Sequence, residues 1–149
     1  MHNLRAFLLS LLLALSAGGA LLAAPAAARA ERVTVDIDLS DQQMTVRADG
    51  RILYRWPVST ARPGYRTPVG TYHPYRLERE WYSTIYDYAP MPWSIFFLRG
   101  YAIHGTTDLA HLGQPASHGC VRLHPDNAKA LFDLVRSVGM RESLIVIRP

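Results

Sequence analysis

Cysteine is almost absent from this chain: Cys120 is the only one in 149 residues. A lone thiol excludes an internal disulfide, and it excludes a dithiol redox site, which needs a Cys-x-x-Cys pair. Long apolar runs are also scarce. Beyond the stretch from Ala6 to Leu22, no segment is long enough to cross a bilayer. Clustered positive charge is missing too. The arginines are scattered and the formal net charge is only +4, which argues against nucleic acid as a partner. Internal repeats, linkers and low-complexity tracts do not occur outside the N-terminal region.

That region reads as an export signal. Arg5 and the amino terminus give a weakly positive start, the apolar run follows, and Ala28-Arg29-Ala30 fits the small-x-small rule for cleavage. Pro25 and the pair Gly18-Gly19 disfavour an uncleaved membrane helix, and cleavage after Ala26 or Ala28 fits nearly as well. We therefore expect a signal peptide over residues 1–30 and one domain over residues 31–149, of ordinary size. Loss of Arg5 and Arg29 lowers the formal +4 to +2. The mature protein is expected in the periplasm or an equivalent extracytoplasmic space, without a stable membrane span.

The remainder reads as mostly β. Val33, Val35, Ile37 and Leu39 alternate with polar residues, the period of a half-buried strand. Met44-Thr45-Val46 starts a second strand, and Asp49-Gly50 is a hairpin signal before a third over residues 52–56. Turn formers crowd residues 59–71, followed by a strand near residues 69–75. Ten of the fifteen aromatics lie between Tyr72 and Tyr101, where they can line a cleft or pack a core. Residues 95–98 and 101–103 look like two more strands, and residues 144–147 like a closing one. Ala128, Leu131, Phe132, Val135 and Val138 recur at helical spacing, with Asp126 at the start and Gly139 as a stop.

Reactive groups concentrate in Ser117-His118-Gly119-Cys120-Val121-Arg122. A thiol attacks as thiolate, and an adjacent imidazole or guanidinium raises the thiolate fraction. Glycine beside the thiol lets backbone amides approach a substrate as an oxyanion hole. A second group, Ala102-Ile103-His104-Gly105-Thr106, puts His104 at the end of an apolar run, where a general base can face Cys120. Taken alone, Cys120 could be a buried small residue and His104 a packing histidine. His104, His118, Cys120 and His124 could in principle ligate zinc, but zinc would blunt the thiolate.

Together, His104-Gly105-Thr106 and Ser117-His118-Gly119-Cys120-Val121-Arg122, with twelve residues between His104 and Ser117, resemble the signature of the L,D-transpeptidase (YkuD-like) catalytic domain. Val58-Ser59-Thr60, Thr67-Pro68-Val69-Gly70-Thr71 and Ala89-Pro90-Met91-Pro92 resemble it in order, so the likeness spans residues 31–149. It implies a β-sandwich or barrel-like domain with one helix packed near the C-terminus. It further implies Cys120 as nucleophile, His104 as base and the Gly105 carbonyl as the group orienting the imidazole. The Gly119 and Cys120 amides become oxyanion donors, and His118, Arg122 and Ser117 fall near the substrate, Ser117 chiefly as a structural hydrogen bonder. No metal or cofactor is implied, and His73, His111 and His124 match no catalytic position.

The implied substrate is the peptidoglycan stem peptide. Cys120 would attack the carbonyl of the third residue, release D-alanine, and pass the acyl group to an amine. That amine could belong to a neighbouring stem, giving a 3-3 cross-link, or to an outer-membrane lipoprotein. Water would give carboxypeptidase trimming, and some members hydrolyse the lipoprotein linkage instead. The competing reading from another class is an inactive wall-binding module that keeps the fold.

Overall fold

The computed structural model describes residues 32–149, so the expected signal peptide lies outside the described residues. The chain builds two sheets. β1 (Val33–Asp38), β2 (Gln43–Ala48) and β3 (Arg51–Pro57) form the expected antiparallel meander. Asp49 and Gly50 both adopt positive φ, 47° and 81°, as a two-residue hairpin turn requires. β9 (Ser143–Arg148) runs parallel to β1, and β4 (Gly70–Tyr72) pairs with its other side. The first sheet therefore has the order β3-β2-β1-β9-β4.

The second sheet has the order β5-β6-β7-β8, built from Arg76–Glu78, Ser94–Leu98, Tyr101–Gly105 and Val121–Leu123. The sequence pattern omitted β5 and β8. Each has three residues, too few for alternation to emerge from noise. β7 and β8 pair in parallel, and this pairing matters most for the site.

Alternation predicted the buried faces well. Val33, Val35 and Ile37 of β1 and Ile145 and Ile147 of β9 are buried side by side. They form one cluster with Ile95, Phe97, Ile103, Val121 and Leu123 of the second sheet. Each such aliphatic side chain contributes roughly 1.5–3 kcal/mol on leaving water. α1 (Pro125–Val138) closes this core with Ala128, Leu131, Phe132 and Val135. Pro125 stands at its first turn, and His124 caps it, its Nδ1 accepting the Asp126 N–H at 3.3 Å.

A smaller cluster of Met91, Phe96 and Ala102 gathers separately, with Trp81 and Cys120 packed against it. The aromatic segment thus divides. Tyr72 tilts against Phe97 and Trp93 packs edge-on to Phe132 beside the main core, while Tyr86 and Tyr101 line a cleft.

Candidate active site

The parallel pairing of β7 with β8 carries the two sequence motifs to one place. Ile103 pairs with Val121, His104 with Arg122, and Gly105 with Leu123. Side chains of paired residues leave the same face, and alternate residues share it. His104 and Arg122 therefore lie together, with Ala102 and Cys120 two residues before them on that face. All but Ala102 line a cleft of about 490 Å³, together with Ser117, His118, Thr106 and Asp108.

His104 is buried, and its Nδ1–H donates to the Gly105 carbonyl at 2.7 Å. That bond leaves Nε2 as the ring nitrogen free to accept a proton. Burial pushes the imidazole down to about 4 from 6.5, the Gly105 carbonyl opposes this, and the Arg122 charge adds to it. Gly105 is itself fixed. Its N–H donates to the Pro92 carbonyl at 2.8 Å, and a Cβ there would sit 3.1 Å from Pro125 Cα and 3.2 Å from Pro92 Cγ.

Cys120 is half-buried, and its thiol approaches the Gly100 carbonyl at 3.8 Å. Burial raises its pKa above the ordinary 9.0, against smaller opposing effects of a backbone bond from Ala102 and the Arg122 charge. The sequence reading expected neighbouring cations to hold a thiolate. In the structure desolvation outweighs Arg122 at the thiol, and near pH 7 the Cys120 thiol and the His104 imidazole that line this cleft are both neutral.

The loop bearing the thiol is held from both sides. Buried Ser117 donates through Oγ to the Cys120 carbonyl at 2.6 Å and accepts the Gly119 N–H at 3.0 Å. Thr67 donates to the Gly119 carbonyl at 2.9 Å and accepts the Ala61 N–H at 3.0 Å. Gly119 has φ +135°, and a Cβ there would meet Tyr101 Cε1 at 2.6 Å and the Arg66 carbonyl at 2.9 Å. One expectation changes here. The Gly119 amide is occupied by Ser117, so of the two expected oxyanion donors the Cys120 amide is the one without an acceptor among the described residues.

His118 lines the cleft, where Tyr86 stacks on it at 4.2 Å and Tyr65 meets it edge-on at 4.6 Å. Burial, then Arg62 and Arg122, lower its pKa. The histidines outside the motif have other partners: His73 Nδ1 faces the Ser143 carbonyl at 2.7 Å, His111 pairs with Asp108, and His124 caps α1. Sequence reasoning missed Thr67 as a support, Tyr86 as the lid over His118, and Asp108 beside Arg122. Each left a faint signal: Thr67 lies in a segment that resembles the family, Tyr86 in the aromatic cluster, and Asp108 is a charge four residues after His104.

The family model of the L,D-transpeptidase catalytic domain (YkuD) matches residues 32–147. The chain belongs to that family. L,D-transpeptidase 1 of Mycobacterium tuberculosis is 28% identical over 124 residues, covering 65% of this chain and 44% of that protein. YkuD of Bacillus subtilis is 23% identical over 101 residues, covering 68% and 59%. This chain thus spans roughly half the length of the curated relatives it matches. Among solved structures, an L,D-transpeptidase from Stackebrandtia nassauensis superposes with a TM-score of 0.70 at 28% identity, covering 79% of this chain and 56% of that one. A Mycobacterium tuberculosis L,D-transpeptidase gives 0.72 at 24%, covering 80% and 58%. The mostly β fold with one helix is that of the L,D-transpeptidase family. No helix among the described residues is long and apolar enough to cross a membrane.

Proposed function

We propose that this L,D-transpeptidase family member is a cysteine acyltransferase of peptidoglycan stem peptides, working outside the cytoplasm after removal of residues 1–30. The observation that carries the reading is the register of β7 with β8. It sets a histidine with a fixed tautomer, a lone thiol and an arginine around one cleft.

In the first step Cys120 attacks the carbonyl of the third stem residue. His104 Nε2 takes the thiol proton as the C–S bond forms, since neither group is charged at rest. The Cys120 N–H, which has no acceptor among the described residues, receives the developing oxyanion. The C–N bond to the terminal D-alanine breaks, and the imidazolium returns its proton to the leaving amine. In the second step a neutral amine attacks the thioester. The new amide C–N bond forms, the C–S bond breaks to release Cys120, and the amine's surplus proton passes through His104 to Cys120 Sγ. An amine on a neighbouring stem makes a 3-3 cross-link, a lipoprotein lysine makes an anchor, and water gives trimming. A structure of L,D-transpeptidase 1 of Mycobacterium tuberculosis, 23% identical to this chain, is solved in complex with imipenem.

The test is incubation of the freshly reduced protein with disaccharide-tetrapeptide, with products read by mass spectrometry. A dimer joined between third residues supports transpeptidation, and tripeptide alone moves the assignment to carboxypeptidase. Product formation that persists in Cys120→Ala would end the proposal.

A further inference from the structure

The Gly119 carbonyl and the Cys120 amide are the two ends of one peptide group. That group is planar and trans, as are all peptide bonds among the described residues, so its C=O and N–H point in opposite directions. Whatever holds the carbonyl therefore aims the amide.

The holder is Thr67, a buried residue. Its Oγ1 donates to the Gly119 carbonyl at 2.9 Å and accepts the Ala61 N–H at 3.0 Å. A hydroxyl has one proton, and the Ala61 N–H occupies a lone pair, so that proton is committed to Gly119. Thr67 stands behind the loop that bears the thiol. It lines a separate depression with Gln42, Thr60 and Arg66, whereas Cys120 lines the cleft. With its carbonyl drawn to the Thr67 side, the peptide group turns its N–H to the other.

The frame around this bond is closed. Ala61 bridges to Ser117, the Arg62 N–H donates to the Ser117 carbonyl at 2.9 Å, and the Ser117 N–H donates to the Thr60 carbonyl at 2.8 Å. Ser117 Oγ in turn accepts the Gly119 N–H and donates to the Cys120 carbonyl. Of the backbone polar groups of Gly119 and Cys120, only the Cys120 N–H lacks a partner among the described residues.

We propose that Thr67 is a positioning residue for acyl transfer: through the Gly119 carbonyl it orients and polarises the Cys120 N–H that receives the oxyanion. The proposal rests on the acyl-transfer reading and adds to it a residue behind the loop, off the cleft wall. Donors run head to tail from the Ala61 N–H through the Thr67 hydroxyl to the Gly119–Cys120 peptide, and each donation strengthens the next in a buried chain. The neutral substrate carbonyl draws less on this chain than the oxyanion does, so the effect falls on the rate of acylation and little on binding.

The test sets two reactions of the same thiol side by side. Acylation by a tetrapeptide stem passes through an oxyanion, while alkylation by iodoacetamide displaces iodide from a methylene carbon and forms none. Both are followed by intact mass in the wild type, Thr67→Val, Thr67→Ala and Thr67→Ser, at a temperature where circular dichroism shows each to be folded. Thr67→Val should slow acylation by about 10- to 100-fold, somewhat less than loss of an oxyanion donor itself, with the change in kcat and not in KM. Its alkylation should keep the wild-type rate. Thr67→Ser keeps the hydroxyl and should recover most of the acylation. Thr67→Ala removes the hydroxyl without placing a methyl group against the carbonyl, and carries the same expectation if Thr67→Val does not fold. Wild-type acylation in the variants that lack the hydroxyl would overturn the proposal. So would an equal drop in acylation and alkylation, which marks a purely structural role, or a Thr67→Ser no faster than Thr67→Ala. Failure of the stem to acylate wild-type Cys120 while iodoacetamide still alkylates it would instead remove the acyl-transfer reading beneath the proposal.

Discussion

His104 and Arg122 occupy paired positions on two parallel strands, so an imidazole and a guanidinium share one face of the sheet. The arrangement places a permanent cation beside a buried imidazole. Burial and that charge both disfavour the imidazolium, and the pKa falls to about 4. The imidazole is therefore neutral across the whole neutral range.

This has a consequence for stability. The unfolded chain protonates His104 near 6.5, the folded one only near 4, so between those values the folded state binds fewer protons. Stability should fall as pH drops from about 6.5 to about 4, by on the order of 3 kcal/mol from this residue. Denaturant unfolding at pH 7 and pH 4.5 measures it. His104→Gln should show a clearly smaller loss than the wild type; equal losses would contradict the neutral buried imidazole.

The thiol should behave as a protonated cysteine until substrate arrives. Burial raises its pKa above 9.0, so alkylation by iodoacetamide should be slow at pH 7 and still climbing at pH 9. Arg122→Gln removes an opposing charge and should slow alkylation further. A reaction rate already at its plateau below pH 7 would mean a resting thiolate, and the proton-coupled first step would have to be abandoned.

Backbone geometry beside the Cys120 thiol gives a third expectation. Gly119→Ala combines a positive φ with contacts of 2.6 and 2.9 Å to Tyr101 and the Arg66 carbonyl. It should destabilise the protein by roughly 1–3 kcal/mol, and activity should fall more than stability accounts for because the Cys120 amide moves. Thr67→Val, which removes only the hydroxyl joining Gly119 to Ala61, should cost about 1–3 kcal/mol. Thermal unfolding and D-alanine release, measured on the same samples, separate the two effects. Unaltered turnover in Gly119→Ala would show that the loop's shape is immaterial.

Much of this was legible in the sequence, and the parts that were not have physical reasons. β1, β2, the closing strand and α1 declare themselves through periodicity, because each buries one face over six or more residues; β3 shows through the Asp49-Gly50 turn signal, and β6 and β7 through short apolar runs that are buried on both faces. β5 and β8 are too short to repeat, and their existence depends on partners distant in sequence. The motif named His104, Gly105, Ser117, His118, Gly119, Cys120 and Arg122 as site residues. The structure places all but Gly105 and Gly119 on the cleft wall, with those two in its backbone framework. It could not reveal that Ser117 occupies the Gly119 amide, nor that desolvation outweighs Arg122 at the thiol. Both depend on how closely atoms pack. Thr67 lay in a segment that matched the family and Tyr86 among the aromatics expected at a cleft or core, but their bonds to Gly119 and stacking on His118 join residues distant in sequence and leave no local mark.

The most direct test of the account is the mass of the intact protein, acid-quenched within seconds of mixing with tetrapeptide stem. The account predicts an adduct of the stem less its D-alanine, located on Cys120 after digestion. His104→Ala should form it more slowly by a factor of about 10² to 10⁴, and Cys120→Ala not at all. Turnover of the stem with an adduct that never involves Cys120, or equal adduct formation in His104→Ala, would contradict the account.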